Sequence, residues 1–247
     1  MQITAYKTKK IIPSDKLFAI LDRYLPELKE KDIVVITSKI ISITQGRIIK
    51  NDGKITKLDL VKKEADLIMP ERYVRFGVHL TIKDNILIGS SGIDESNGDG
   101  YFILWPKDIK KTTEDIWVYL RKKHQLKRLG IIITDSHSSP FRRGTRGFGM
   151  SWCGFKPLKS YVGKPDIFGR LLKFEQLSIV DSVAASAVLV MGEGNEQTPI
   201  AVMNETSAVN FVDRVPNKKE LSETTITLHS DVYSGPLTAI KWLKGGK

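Results

Sequence analysis

The sequence predicts a mixed α/β or α+β fold. Three observations carry that reading: short unbroken apolar runs of strand length such as "DIVVIT" and "IIITD", longer stretches whose apolar residues recur at helical spacing, and an alternation of the two without a regular strand-helix-strand period. In chain order, Ser14 is the expected N-cap of a first helix, because Leu17, Ile20, Leu21 and Leu25 repeat at helical spacing until Pro26. Asp32 to Thr37 reads as a buried strand. The stretch "GRIIKNDGKI" reads as β-rich, with Asp52-Gly53 suited to a tight hairpin turn. Ile86 to Ile88 and Tyr101 to Trp105 read as strands on either side of an acidic loop. A helix is expected over Thr113 to Leu126, with Ile116, Tyr119 and Leu120 on one face, leading through Gly130 into the strand "IIITD". A polar, glycine-rich stretch follows from Ser136 to Gly169, then a buried helix over Leu177 to Met191 and a strand at "PIAVM". There is no internal repeat and no low-complexity linker. Residues 1–247 are read as one domain, with any internal boundary near residue 113 or within the glycine-rich stretch.

Composition narrows the function classes. A hydrophobic fraction of 41% and a charged fraction of 27% are those of a chain that buries a core, not of a disordered one. The longest apolar run, around Val183 to Met191, is interrupted by Ser186 and small alanines and falls short of a bilayer span, so no membrane insertion is expected. The opening "MQITAYKTKK" has no apolar stretch behind it, so no secretory leader is expected, and the lone Cys153 excludes an internal disulfide and fits a cytoplasmic protein. With 39 Lys plus Arg against 28 Asp plus Glu, the chain carries a formal +11, which attracts anionic partners or is a solvated lysine-rich surface. No stripe of basic residues interleaved with aromatics argues for nucleic acid.

The polar clusters point to oxygen-ligand chemistry. "NILIGSSGIDESNGDG" crowds Asp94, Glu95, Asn97 and Asp99 around glycines directly after an apolar run. "IIITD" ends in Asp135-Ser136, and "VMGEGNEQTP" places Glu193 between Gly192 and Gly194 at a helix end. Acids and glycines are what any turn contains. Three such loops, each at the end of an apolar element, together make a site for hard cations such as magnesium or manganese, with Ser136 and Asn97 adding neutral oxygens. Arg142, Arg143 and Arg146 lie in one short stretch and Lys164 in another; they could grip phosphate or carboxylate oxygens, or simply face water. There is no GxxxxGK[ST], and "GTRGFG" is not GxGxxG, so a nucleotide would bind outside the P-loop and Rossmann modes. Of the four histidines only His137 lies near the proposed site. One cysteine excludes a thiolate zinc site, and "WCGF" reads as a packed core setting for Cys153.

The succession "ITSKIIS", "QGR", "SSGIDESN", "ITDSHSSPFRRG", "YVGKPDIFGR" and "VDSVAASAVLVMGEGNEQTPIAVM" resembles the coenzyme F420-0:gamma-glutamyl ligase family from about Lys9 to Met203, in that family's order and spacing. The resemblance implies an intertwined homodimer of two-part, mixed α/β architecture. It implies an enzyme that uses GTP and two divalent cations, manganese or magnesium, to attach L-glutamate through its amine to an acceptor carboxylate. By the same resemblance Asp94 and Asp135 are ligands of one metal, and Ser136 and Glu193 of the second. The implied nucleotide contacts are Lys9, Lys10, Ile11 and Ile12, then Ser38 and Lys39, then Asn97, and finally Met191, Gly192, Glu193, Gly194, Asn195, Glu196, Gln197 and Thr198. The chain departs from the pattern at "IISITQGR", where Ile43 stands in place of a nucleotide-contacting lysine, which leaves GTP and ATP both open; the proline usual near Lys9 to Ile12 comes only at Pro13. "SWCGF" and "YVGKPDIFGR" look more like a subgroup that adds glutamate to folate, so the expected acceptor is a pterin, with the deazaflavin F420-0 as the alternative. Arg142, Arg143 and Lys164 are expected to hold the carboxylates of acceptor or glutamate. A metal-dependent phosphatase and a basic nucleic-acid-binding module are the more distant alternatives.

Overall fold

The computed structural model describes residues 1–204 and 207–246. The chain opens with β1 (Gln2–Tyr6), α1 (Leu17–Tyr24), β2 (Asp32–Thr37) and α2 (Ser38–Thr44). A run of small elements follows: β3 (Ile48–Lys50), α3 (Lys57–Glu64), β4 (Leu67–Ile68), β5 (Leu80–Lys83), β6 (Ile86–Gly89) and β7 (Tyr101–Ile103). Then come α4 (Ile109–His124), β8 (Leu129–Ser138), β9 (Thr145–Cys153), β10 (Leu158–Ser160), β11 (Gln176–Ser178), α5 (Ile179–Met191) and β12 (Ile200–Asn204). The chain closes with α6 (Lys218–Glu223), α7 (Ser234–Thr238) and β13 (Leu243–Lys244). The architecture is mixed α/β, as the sequence predicts. No helix among the described residues is long and apolar enough to cross a membrane.

The main sheet has the order β1-β12-β2-β8-β9, in which β2 and β8 run parallel and every other pair is antiparallel. Both of its faces are covered, and that is why its strands read as continuous apolar runs. Val34 and Ile36 of β2 pack with Ile131 and Ile133 of β8 against α1, α2 and α4, while Ile33, Val35 and Ile132 face α5 through Val180, Val183 and Ala187. Cys153 is fully buried at the end of β9, and burial pushes its thiol up to about 12, in keeping with a packed core residue. A second region, residues 45–108, carries β4, β5 and β6, joined at the β4 edge by β13 from the far end of the chain to give the order β13-β4-β5-β6, and the separate pair β3-β7. Its apolar clusters are small, one around Leu60, Val61, Ile93, Phe102 and Leu104, the other joining Ile88 and Trp105 to Phe148 of β9.

Several local expectations are corrected. Ser14 does not cap α1, which starts at Leu17 behind Lys16; residues 12–15 instead form a turn in which the Asp15 side chain accepts from the Ile12 N–H at 2.9 Å. Asp52-Gly53 makes no hairpin. β3 pairs with the distant β7, and the chain after it enters α3 through a capping box of Thr56 and Asp59. Trp105 lies beyond β7, α4 begins at Ile109 rather than Thr113, and the helix expected from Leu177 starts at Ile179, capped by Ser178. The glycine-rich stretch hides β9. Gly147 and Gly149 interrupt its strand pattern because α5 lies on them: an added Cβ would stand 2.6 Å from the Val188 side chain at Gly147 and 2.1 Å from that of Val180 at Gly149. Finally, Asp135 and Ser136 do not follow a strand end. They sit inside β8, which continues to Ser138 and pairs with β9 past a bulge at Ile133/Thr134.

Candidate active site at the carboxyl ends of the parallel strands

The strand order gathers four of the expected segments at one edge of the main sheet. β2 and β8 are parallel, so Ser38-Lys39 after β2 and Asp135-Ser136 in the outer part of β8 share that edge. β12 runs the other way, which brings the segment before it, 191–198, to the same place; β1 ends there too, since Tyr6 pairs with Ile200. The Thr8 N–H then donates to the Gln197 carbonyl at 2.8 Å, placing Lys9 to Ile12 beside the 191–198 segment. Ligands of open α/β sheets bind outside the carboxyl ends of parallel strands.

The acidic loop reaches this edge from the second region. After β6 the chain turns through Ser90, Ser91 and Gly92, and Gly92 has φ +68 with the Trp105 indole so close that a Cβ would lie 2.0 Å from its Nε1. That packing aims the Trp105 Nε1–H at Asp135 Oδ2, 2.6 Å away. Asp94 follows and is fixed by backbone bonds to Ile103 of 3.0 and 2.8 Å. Its carboxylate accepts from the Ser96 N–H at 2.8 Å and the Ser96 hydroxyl at 2.9 Å, and pairs with Lys39 Nζ at 2.6 Å. The Asn97 amide donates to the Gly194 carbonyl at 2.8 Å, and the Ser136 hydroxyl donates to Glu193 at 3.3 Å. The three acidic loops therefore meet one another.

Electrostatics set the two carboxylates apart. Burial pushes the Asp135 carboxyl up to about 6, with the Asp94 charge adding to the rise and the Ser136 N–H, the Trp105 indole and Lys39 opposing it. Burial pushes Asp94 up as well, but the Lys39 ammonium and Ser96 outweigh it and hold the carboxyl below its ordinary value. Among the described residues no three His, Cys, Asp or Glu side chains form a metal-holding group. The donors that converge are carboxylates in company with serine hydroxyls. This oxygen-only set suits a hard divalent cation, and a cation beside Asp94 and Asp135 would offset the burial cost that chiefly keeps Asp135 high, together with the smaller repulsion from Asp94.

The other expected residues are more dispersed. Arg142 and Arg143 occupy the exposed turn between β8 and β9, beyond Ser136, and Lys164 lies in the exposed loop between β10 and β11 with Nζ 5.6 Å from the Tyr161 ring. None of the three forms an ion pair among the described residues. His137 packs its ring on Phe148 at 5.0 Å, and Ile43 is buried in α2. Sequence reasoning missed Trp105, which was read only as a strand residue, and Ser96; neither has a local pattern that signals its role.

Comparison with known proteins adds an independent line. The family model described as F420-0:Gamma-glutamyl ligase matches residues 5–205. The Coenzyme F420:L-glutamate ligase of Methanococcus maripaludis (strain S2) is 33% identical over 190 residues, 71% of this chain and 76% of that protein. The proteins of the same name from Methanocaldococcus jannaschii, 32% identical over 190 residues (71% of this chain, 76% of that protein), and Methanopyrus kandleri, 29% over 209 residues (78% and 82%), are also similar.

Proposed function

The chain belongs to the F420-0:gamma-glutamyl ligase family, and from that premise we propose that it joins L-glutamate by an amide bond to the carboxylate of a deazaflavin acceptor of the F420-0 type, at the expense of GTP. The observation that carries this reading is the meeting of three acidic loops with Lys39 at the carboxyl ends of β2 and β8, tied by the Asn97–Gly194 and Ser136–Glu193 contacts. The pterin acceptor expected from "SWCGF" and "YVGKPDIFGR" is set aside as the main reading, because the similar proteins above carry the name of F420 and not of folate.

A carboxylate is a poor electrophile, so the acceptor must be activated. Its oxygen attacks the γ-phosphorus of the nucleotide, the diphosphate leaves, and an acyl phosphate forms; the glutamate amine then attacks the acyl carbon, phosphate departs and the amine proton passes to solvent. Asp94 and Asp135 would hold one manganese or magnesium ion, and Ser136 and Glu193 the second. Bound there, the ions supply neutralising charge to the phosphate oxygens. Lys39 adds a positive charge from the sheet side. Gly192 and Gly194 make room for the Glu196 carboxylate, which accepts from the Gly194 N–H at 2.8 Å, and Asn97 holds that segment against the Asp94 loop. Lys9 to Ile12 and Ser38 complete the nucleotide contacts, while Arg142, Arg143 and Lys164 hold carboxylates of acceptor or glutamate. The homodimer implied by the resemblance draws support from the β10–β11 loop, where Ile167, Phe168 and Phe174 are 92%, 88% and 86% exposed.

Mass spectrometry of reactions containing the protein, manganese, L-glutamate and either GTP or ATP decides the reading. A glutamyl unit gained by F420-0 supports it. A gain on tetrahydrofolate alone restores the pterin acceptor, and product with ATP but not GTP replaces GTP by ATP as the nucleotide. Nucleotide hydrolysis without either product overturns the ligase reading.

A further inference from the structure

Asp135 is held at both carboxylate oxygens. The Ser136 N–H donates to Oδ1 at 2.8 Å and the Trp105 Nε1–H to Oδ2 at 2.6 Å. The terminal torsion of a free aspartate is broad; donors on both oxygens confine it, while each oxygen keeps a lone pair for a further partner. Ser136 is the next residue of β8 and comes with the strand. Trp105 comes from the other region, so its own placement decides how the carboxylate is turned. That placement is fixed from several sides. Gly92 leaves room for the indole, and the Phe148 ring, on the residue opposite Asp135 in β9, lies 6.4 Å from it. Arg47 Nε–H donates to the Trp105 carbonyl at 3.0 Å, and Lys83 Nζ stands 5.9 Å from the centre of its ring. Glu64 ties these two cations together: both pair with its Oε2, Arg47 at 2.7 Å, and the side chains of Arg47, Lys83 and Glu64 are only 19%, 10% and 14% exposed. With Trp105 the trio lines a cavity of about 520 Å³, whose walls include none of Asp94, Asp135, Ser136 and Glu193. Buried ion pairs often add no stability over apolar groups of the same size, so a trio of charges at this place calls for another role.

We propose that Arg47, Glu64 and Lys83 are positioning residues that act through Trp105 to aim the Asp135 carboxylate at a divalent cation. The proposal rests on the ligase reading only for the presence of that cation beside Asp94 and Asp135. The trio holds the main chain and one face of Trp105, and the indole then directs Oδ2. Loss of a hydrogen-bond partner of a metal ligand costs tenfold or more in metal affinity, and a residue one contact further out acts more weakly.

The test is a titration of the full chain with Mn2+, read from the electron paramagnetic resonance signal of the free ion, without nucleotide, glutamate or acceptor. The parent is expected to bind; a parent that binds no Mn2+ overturns the cation site and this proposal with it. Trp105→Phe keeps a ring and loses the donor, and should weaken Mn2+ binding by roughly tenfold or more. Glu64→Gln keeps the shape and loses the charge that joins Arg47 to Lys83, and should weaken it by about threefold. Leu60→Ala, in an apolar cluster separate from that of Trp105, is the control and should leave Mn2+ affinity unchanged. An affinity indifferent to Trp105→Phe overturns the proposal, and one indifferent to Glu64→Gln removes the trio from it. A loss in Leu60→Ala equal to the others reduces them all to general destabilisation and overturns it as well. Should Trp105→Phe lose cooperative melting, Glu64→Gln decides alone. Because Mn2+ binding needs no turnover, weakened binding in the variants supports the proposal even where no glutamyl product forms.

Discussion

The main sheet and the region of residues 45–108 are built on different terms. In the sheet, β2 and β8 present Ile33, Val34, Val35, Ile36, Ile131, Ile132 and Ile133 at zero exposure, with helices over both faces. In the smaller region the strands are two to four residues long, the apolar clusters contain a handful of side chains, and a buried ion cluster of Arg47, Glu64 and Lys83 stands where the sheet would have isoleucine. Yet the smaller region supplies Asp94 and Trp105, without which the sheet edge would have only part of an acidic site. Apolar packing is concentrated in one region, and the candidate centre is assembled at its border with the other.

The contrast can be broken most forcefully at the border. Asp135→Asn should lower turnover by roughly 10²- to 10³-fold while the melting temperature changes little, because the neutral amide removes a buried charge and still accepts from Trp105 but gives up the oxygen that accepts from the Ser136 N–H. A variant that keeps its turnover would remove Asp135 from the chemistry. Next in size, Ile132→Ala in β8 should cost about 3 kcal/mol in urea unfolding and Leu60→Ala in α3 about 2 kcal/mol; equal losses would erase the distinction between the two regions. Gly92→Ala should cost about 2 kcal/mol, from a left-handed backbone and a Cβ placed against the Trp105 indole, and should lower activity by displacing the residue that holds Asp135. Activity loss without any change in stability would show that the indole moves freely and stores no strain.

The smallest effect concerns acid. Burial pushes Glu64 up, but Lys83 and Arg47 outweigh it and leave its carboxyl below the ordinary value. A depressed carboxyl contributes stability above its unfolded pKa, about 4.3, and loses that contribution as pH falls through the lower folded value. The gap in stability between the parent and Glu64→Gln should therefore be constant above about pH 5, of order 1 kcal/mol, and shrink below about pH 4. Chemical denaturation across that range measures it, and a gap that widens with acid would contradict the pairing.

Legibility in the sequence followed the same division. "DIVVIT" and "IIITD" announced themselves because burial on both faces leaves no polar positions to blur the run. β9 is hidden in the polar, glycine-rich stretch because Gly147 and Gly149 replace side chains where α5 presses on the strand, so the packing that stabilises it also removes its signature. The Asp52-Gly53 pair misled, since a turn dipeptide does not say whether the next strand is adjacent; here Thr56 and Asp59 started a helix instead. The acidic loops were legible as candidates from their residue types. Their partners were not: Lys39 and Asp94 are separated by dozens of residues, and the hold of Trp105 on Asp135 depends on a side chain crossing between regions.

The strand order also dictates when the molecule can become whole. β12 lies between β1 and β2, so a chain emerging from the ribosome makes its first and second strands long before the one that separates them. Until residues 200–204 arrive, β2 has an unpaired apolar edge, and β1 has nothing to join. Such late, long-range pairing slows folding and leaves a strand open to wrong partners. The 191–198 segment directly precedes β12, so the strand that closes the main sheet is also the one that draws the final acidic loop into place: a newborn chain completes its main sheet and its candidate centre in the same act.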